Sequence, residues 1–244
     1  MWSNKQEKLI RSLQQKKYRK QHSLFVVEGL KSVNELINSD LEIEYIYTTD
    51  SIQFNDLEKI DIEATMISEL QMKSISSLTN PPGVLAVAKI PEQELITGDL
   101  VLYLDEVRDP GNLGTIIRSA EGFGVSQLVL SPNCVDPFSP KVVQASMGSL
   151  FRLPLAVESF ESLYKRLSND YSFYAADMDG ENLHQYELGM PAVIVMGNES
   201  QGLSDDIQSK IKTLSIPIAK SLESLNVAVS AAVILAEFRR QFPL

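Results

Sequence analysis

The segment that most limits what this chain can fold into runs from Ala228 to Phe238, where one apolar residue follows another. Leu225, Val227, Ala228, Val229, Ala231, Ala232, Val233, Ile234, Leu235 and Ala236 leave almost no polar face before Glu237. A helix that is apolar all round has to be covered all round. Its length and flanking loops suit a core helix rather than a bilayer span, so it is expected to lie in the core and also to face a second subunit. The residues ahead of it add a second constraint. A short β-type run, Leu214-Ser215-Ile216, stops at Pro217, a loop of small and polar residues follows, and Ser224 stands where a helix N-cap is expected. An open helix start presents backbone N–H groups, and small side chains let a ligand approach the main chain. Strand, loop and helix start together make a candidate binding site.

The 244 residues, 44% of them hydrophobic, are enough to bury one large core or two modest ones. Charged sequence follows the first residues with no apolar leader, so a soluble, cytoplasmic protein is expected. The single cysteine, Cys134, excludes an internal disulfide, and His22 and His184 stand alone in polar sequence, so neither metal nor thiol chemistry is expected. The net charge of −10 argues at first against a nucleic-acid partner. That average hides an asymmetry. Residues 1–23 carry seven basic side chains against the single acid Glu7, a net +6 that leaves −16 for the rest. A basic arm on an acidic body fits RNA binding, with Arg11, Lys16, Lys17, Arg19 and Lys20 as the candidate contacts; the competing reading is a solvated helix with no partner.

In chain order, Asn4 to Gln21 is predicted as one helix with Leu9, Ile10 and Leu13 as its apolar stripe. Strand Leu24 to Val27, helix Leu30 to Asn38, strand Ile43 to Thr49, a helix around Ser68 to Ile75 and strand Gly83 to Ala88 complete a small α/β module, residues 1–90. Residues 91–98 are read as a linker, because they are polar and include Pro91. From residue 99 the units lengthen. Strands are expected at Leu100 to Leu104, Gln127 to Leu130, Leu153 to Val157, Ser172 to Ala176 and Ala192 to Met196, and helices at Asn112 to Phe123, Pro140 to Leu150 and Phe160 to Leu167. Apolar strands alternating with helices predict a mostly parallel sheet covered on both faces, with ligands at the carboxyl ends of the strands.

Three loops leave such ends. In the first, Asp105 to Gly114, Pro110-Gly111 forces a turn and Asn112 is read as the cap of the following helix. Arg118 stands six residues on, and the two are expected to share roughly one side. The second, Met196-Gly197-Asn198-Glu199-Ser200-Gln201-Gly202, has the glycine spacing of a phosphate loop. It lacks the Lys-Ser/Thr that would hold nucleotide phosphates and magnesium, so it is not an ATP site. The third is the loop before the apolar helix. Gly122 and Gly124 follow a helix, not a strand, and form no dinucleotide fingerprint.

Together, in order and spacing, the loops resemble the motifs of the SpoU-type RNA 2′-O-ribose methyltransferases of the SPOUT superfamily. Asp109-Pro110-Gly111-Asn112-Leu113-Gly114-Thr115-Ile116-Ile117-Arg118 is similar to the first motif, Met196 to Gly202 to the second, and Ile216-Pro217 with Glu223-Ser224-Leu225-Asn226-Val227 to the third. Ala145 to Pro154 fits the same pattern, and Phe25-Val26-Val27-Glu28-Gly29 resembles the ribosomal-protein-like substrate-binding domain attached to many members. Ile218-Ala219-Lys220 departs from the methionine- and glycine-rich centre common in the third motif.

The resemblance implies an α/β methyltransferase domain over residues 99–244 with a mostly parallel sheet and a C-terminal trefoil knot, S-adenosylmethionine as cofactor, a homodimer, and RNA as substrate, rRNA in preference to tRNA. It carries catalytic roles to Asn112, Arg118, Glu199, Ser224 and Asn226, and cofactor contacts to Met196, Gly197, Gly202, Ile216, Leu225 and Asn226. A guanidinium stays protonated and is a poor base, so Arg118 is expected to grip a phosphate and align the ribose. Two other readings stand beside this one. A non-catalytic RNA-binding or ribosome-assembly protein could use the same fold, but it would not need the motif side chains intact; a nucleotide-dependent metabolic enzyme would need the phosphate fingerprint that is missing.

Overall fold

The computed structural model describes residues 2–50, 64–93, 98–198 and 201–244. The chain forms two compact units, Met1–Glu92 with Asp136–Arg152, and Gln93–Val135 with Leu153–Leu244. Residues 94–97 of the expected linker lie outside the described residues.

The first unit opens with α1 (Asn4–Ser12) and α2 (Lys16–His22), where one helix was expected. The break has a local cause. The Leu13 N–H is shared between the Leu9 and Ile10 carbonyls, and the Leu13 carbonyl accepts from Arg19 Nη1 at 2.7 Å. Arg19 is thereby turned inward, 3% exposed, with its guanidinium on the Asp136 carboxylate. β1 (Leu24–Glu28), α3 (Leu30–Ile37), β2 (Ile43–Thr48), β3 (Thr65–Met66), α4 (Glu69–Ile75) and β4 (Val84–Lys89) follow, and the sheet runs β1-β4-β2-β3. Successive side chains of a strand point to opposite faces. Leu24 and Val26 therefore join Ile10, Leu13, Met72 and Ile75 in one core, while Phe25 packs against Phe138 and Phe151 with ring centroids 5.0 and 6.1 Å away.

The second unit begins with β5 (Leu100–Leu104), α5 (Pro110–Gly122) and β6 (Gln127–Leu130). The chain then enters the first unit, where α6 (Pro140–Ser146) is closed by the left-handed Met147 and Gly148 and a short 3-10 turn, Ser149–Phe151. That ends the helix expected to reach Leu150. β7 (Leu155–Val157), α7 (Phe160–Leu167), β8 (Ser172–Asn182), β9 (Ala192–Met196), α8 (Asp205–Gln208), β10 (Lys212–Ser215) and α9 (Val227–Gln241) complete the second unit. The six strands run β10-β8-β9-β5-β6-β7, and every neighbouring pair is parallel. β5 and β9 are buried along their whole length, as a parallel sheet covered on both faces requires.

α9 buries Val227, Ala228, Ala231, Ile234, Leu235 and Phe238 within the chain. It is not covered all round: Val229 is 49% exposed, Ala236 is exposed, and Ala232 and Val233 are half-buried. These four share one stripe at helical spacing. Among the described residues no helix is long and apolar enough to cross a membrane.

Candidate active site

The three loops expected to carry the chemistry meet in the second unit because their strands are neighbours. β9 lies beside β5, and the Asp105 N–H donates to the Met196 carbonyl at 2.8 Å, so the first and second loops leave from one point. Asn198 Nδ2 then donates to the Glu106 carbonyl at 2.8 Å. Asn198 also exchanges two backbone hydrogen bonds with Gly202, at 2.9 and 3.0 Å, and accepts from the Gln201 N–H at 3.1 Å. Asn198 and Gly202 are therefore held side by side. The glycine at 197 is needed for close approach, since a Cβ there would lie 2.6 Å from the Gly202 carbonyl carbon and oxygen.

Helix starts join the first loop to the third. Asp109 caps α5, its Oδ1 accepting from the Asn112 N–H at 2.8 Å, with Pro110 in the first turn. The expected cap, Asn112, is inside the helix instead: the proline starts the helix at residue 110, and the side chain three residues before Asn112 is the one that reaches its N–H. α9 is capped by Asn226, whose Oδ1 accepts from the Ala228 and Val229 N–H groups at 2.9 and 3.4 Å. Ser224, the expected cap, lies two residues outside. The amide of Asn226 does double duty: its Nδ2 donates to Asn112 Oδ1 at 2.9 Å, tying one helix start to the other.

Between the second and third loops lies a cavity of about 590 Å³. Met196, Gly197, Asn198 and Gly202 form one wall, Leu214 to Ile218 with Glu223, Ser224, Leu225, Val227 and Ser230 another. The third wall comes from β8. Its pairing with β10 jumps from Thr213↔Ala175 to Leu214↔Glu181, so residues 176–180 leave the ladder, and Ala176, Asp177 and Met178 face the cavity. Gly180 lets the bulge close on β10: a Cβ there would meet Leu214 N at 2.5 Å, and Ser215 Oγ donates to its carbonyl at 2.9 Å. Apolar Met196, Leu214, Ile216, Leu225 and Val227 suit a flat heteroaromatic group, and the Asp177 and Glu223 carboxylates suit a cationic one. Asp177 is oriented by Gln208 Nε2, which donates to its Oδ2 at 2.9 Å, and by the Asp179 N–H on its Oδ1.

Beneath the first loop, burial pushes the Asp105 carboxyl up from its ordinary value, with neighbouring Glu106 adding to the rise and the Ser131 hydroxyl opposing it. Glu106 is held below the usual carboxylate range by Asn133 and Arg108. Burial also raises the Cys134 thiol, which donates to the Leu104 carbonyl at 3.3 Å, so this cysteine is a poor nucleophile. At the far end of α9, Arg240, Gln241 and His184 surround the buried Glu237 and, against the opposing effect of burial, bring its carboxyl down to about 2.

Of the residues singled out from sequence, Met196, Gly197, Gly202, Ile216, Ser224 and Leu225 line the cavity. Asn112 and Asn226 stand together at its edge, outside the lining. Arg118 is exposed on α5, also outside the lining, and does not share a side with Asn112. At 3.6 residues per turn, six residues leave two side chains about 120° apart around the helix. Glu199 lies outside the described residues. In the first unit Arg11, Lys16, Lys17 and Lys20 are exposed, whereas Arg19 is buried on Asp136 and is not open to a phosphate. Sequence reasoning missed Ala176, Asp177 and Met178. The change of character after Ala176, where Asp177 follows, ended the apolar strand pattern, and no periodicity announces a bulge whose register is set by β10. Among the described residues no group of three or more His, Cys, Asp or Glu is placed to hold a metal ion.

Comparison with known proteins adds two family matches: the SpoU rRNA Methylase family over residues 99–236 and the MRM3-like substrate binding domain over residues 4–86. Relatives match along nearly the whole chain. The 23S rRNA (guanosine(2553)-2′-O)-methyltransferase RlmP of Bacillus subtilis is 30% identical over 240 residues, which is 97% of this chain and 96% of that protein. A solved structure from Porphyromonas gingivalis, assigned to the TrmH family of RNA methyltransferases, is 36% identical with a TM-score of 0.90 and 99% of each chain covered. The AdoMet-bound rRNA methyltransferase of Sinorhizobium meliloti is 30% identical, with a TM-score of 0.86 and coverage of 100% of this chain and 97% of that one.

Proposed function

The chain belongs to the SpoU rRNA methylase family, and from that premise we propose that it is an S-adenosylmethionine-dependent RNA 2′-O-ribose methyltransferase acting on rRNA. The observation that carries this reading is a cavity of about 590 Å³ between the second and third loops, to whose edge the first loop is tied by the Asn226–Asn112 and Asn198–Glu106 hydrogen bonds. That cavity fits the cofactor. It has room for a nucleoside carrying an amino-acid arm, apolar side chains for an adenine, and the carboxylates of Asp177 and Glu223 near a positively charged ligand. When bound, the cofactor supplies an electrophilic methyl group on a sulfonium.

The residues of the chain then divide the work. Met196, Gly197, Gly202, Ile216 and Leu225 hold the cofactor by close main-chain approach. Asn226, locked by its cap and by Asn112, fixes the edge where the ribose enters. Arg118, exposed and permanently charged, grips the phosphate beside the target ribose, so that the 2′-oxygen lines up with the methyl group while a phosphate oxygen or water takes the proton. Glu199 and Asn226 hold loops and substrate, and Ser224 is carried as a further catalytic residue of the third motif. Substrate binding is assigned to residues 1–90, with Arg11, Lys16, Lys17 and Lys20 as its exposed cations, residues 91–98 as linker and 99–244 as the catalytic domain. The exposed stripe Val229, Ala232, Val233 and Ala236 supports a homodimer through α9, and membership of the family supports a trefoil knot in the C-terminal segment.

The test is methyl transfer from labelled S-adenosylmethionine to purified rRNA and tRNA, with the label followed into alkali-resistant dinucleotides. Label in rRNA as 2′-O-methylribose is expected. Label confined to tRNA would move the target, and none in any RNA would remove the activity in favour of a non-catalytic RNA-binding protein. Sedimentation equilibrium that reports a monomer would reject the dimer.

A further inference from the structure

We propose that Glu106 is a positioning residue: held in the left-handed backbone region, it pins the second loop to the first and so fixes the cofactor wall of the cavity. The inference rests on the function assigned above and adds a residue that neither the motifs nor the cavity lining identifies.

Glu106 has φ +54, a conformation that side chains with a Cβ rarely adopt and that persists only where the surroundings over-determine it. The surroundings here do so from three segments. The Glu106 N–H donates to Ser131 Oγ at 2.9 Å, and its carbonyl accepts from Asn198 Nδ2 at 2.8 Å. One carboxylate oxygen accepts from Asn133 Nδ2 at 2.8 Å and the other from Arg108 Nη2 at 2.6 Å. Ser131 is itself buried and anchored, its N–H on the Leu104 carbonyl at 2.9 Å, so this side of the pin is rigid. The other side is Asn198, which exchanges two backbone hydrogen bonds with Gly202.

The left-handed turn is what aims the Glu106 carbonyl at Asn198. Rotation of residue 106 into the right-handed or extended region would swing that carbonyl away and release the Asn198 amide. The loop carrying Gly197, Asn198 and Gly202 would lose its tie to the first loop, although none of these residues had changed. The backbone bonds to Ser131 and Asn198 hold the turn, and the carboxylate bonds to Arg108 and Asn133 offset the strain of a side chain at positive φ, a strain that glycine does not carry.

Two substitutions separate this role from that of a mere loop filler. Glu106→Gly and Glu106→Val both remove the carboxylate, but glycine accepts a positive φ and a β-branched side chain resists it. Calorimetry with S-adenosylmethionine is expected to give a Kd within about twofold of wild type for Glu106→Gly and weakened about tenfold or more for Glu106→Val. Asn198→Ala should match Glu106→Val, and the double variant should be no weaker than either single one. Hydrogen exchange at the Gly202 amide, measured without cofactor, reads the pin independently of the assigned activity: faster exchange in Glu106→Val but not in Glu106→Gly is expected. Equal exchange or equal affinity in the two variants overturns the proposal. A wild type with no affinity for S-adenosylmethionine but with the exchange difference intact overturns the assigned function and leaves the pin standing. Thermal unfolding and circular dichroism confirm that each variant folds, and if Glu106→Val does not, Asn198→Ala carries the affinity and exchange measurements in its place.

Discussion

The cavity wall and helix α5 belong to the same unit and are built on opposite plans. The wall is built on close main-chain approach: Gly197 is pressed against Gly202, Gly180 against Leu214, and many of the lining side chains are apolar. α5 offers side chains, Asn112 at the cavity edge and Arg118 out in solvent. The difference teaches that binding and alignment can be damaged separately. Filling the wall should abolish cofactor affinity, whereas stripping α5 should leave affinity intact and slow the reaction. Asn226, the cap of α9, ties Asn112 of α5 to the helix start beside the wall, and its loss should damage both.

Substitution Gly197→Val is the strongest way to test this. Its Cβ alone would fall 2.6 Å from backbone atoms of Gly202 that have no freedom to move aside, so cofactor affinity should drop by about 100-fold or more in calorimetry, with turnover lost in parallel. A Kd near wild type would break the main-chain account of the wall. Next comes Arg118→Ala, for which kcat should fall about 100-fold while the S-adenosylmethionine Kd stays within about twofold. Arg118→Lys should recover little, because an ammonium lacks the paired donors of a guanidinium; near-full activity in that variant would show that a bidentate grip is not needed.

Asn226→Ala removes a cap and a tie between helices at once. It should lower stability by about 1 kcal/mol and weaken both cofactor affinity and kcat, each by about tenfold, where the other two variants move only one of these quantities first. If only stability changes, Asn226 is a cap and nothing more.

An effect on stability alone, confined to acid pH, should appear far from both regions. The Glu237 carboxyl lies below its ordinary value of 4.5, at about 2, chiefly through its hydrogen bonds to Arg240 and then to Gln241 and His184. A folded-state value below the unfolded one contributes stability that is full above pH 4.5 and is lost as pH falls from there toward 2. Wild type should therefore lose on the order of 2 kcal/mol over that window relative to Glu237→Gln in thermal melts. Parallel melting curves would remove Glu237 as the fastening of α9.

What could be read in the sequence was whatever local pattern decides. β5 and β9 are continuous apolar runs, Leu100–Leu104 and Ala192–Met196, and their ends fell where the residues change character. The three loops were legible because glycine, proline and asparagine at fixed offsets have few structural meanings. What could not be read depends on partners distant in sequence. The bulge at residues 176–180 is set by β10, and the identity of each helix cap was decided by a side chain two or three positions from the one chosen. Arg19 looked like one more cation in a basic arm, and only Asp136, 117 residues away, makes it a core residue. Nothing near residue 19 carries that information.

The excursion of Asp136–Arg152 into the first unit also governs the order in which the chain can mature. When a ribosome has made the first 92 residues, the rings of Phe138 and Phe151 that cover Phe25 do not yet exist, nor does the counter-ion of Arg19. A buried guanidinium without its partner is destabilising by about 3–5 kcal/mol. The first 92 residues must therefore wait, incomplete, while β5, α5 and β6 emerge, and a gene cut at residue 92 would encode a first piece that lacks Asp136–Arg152, the rest of its own unit.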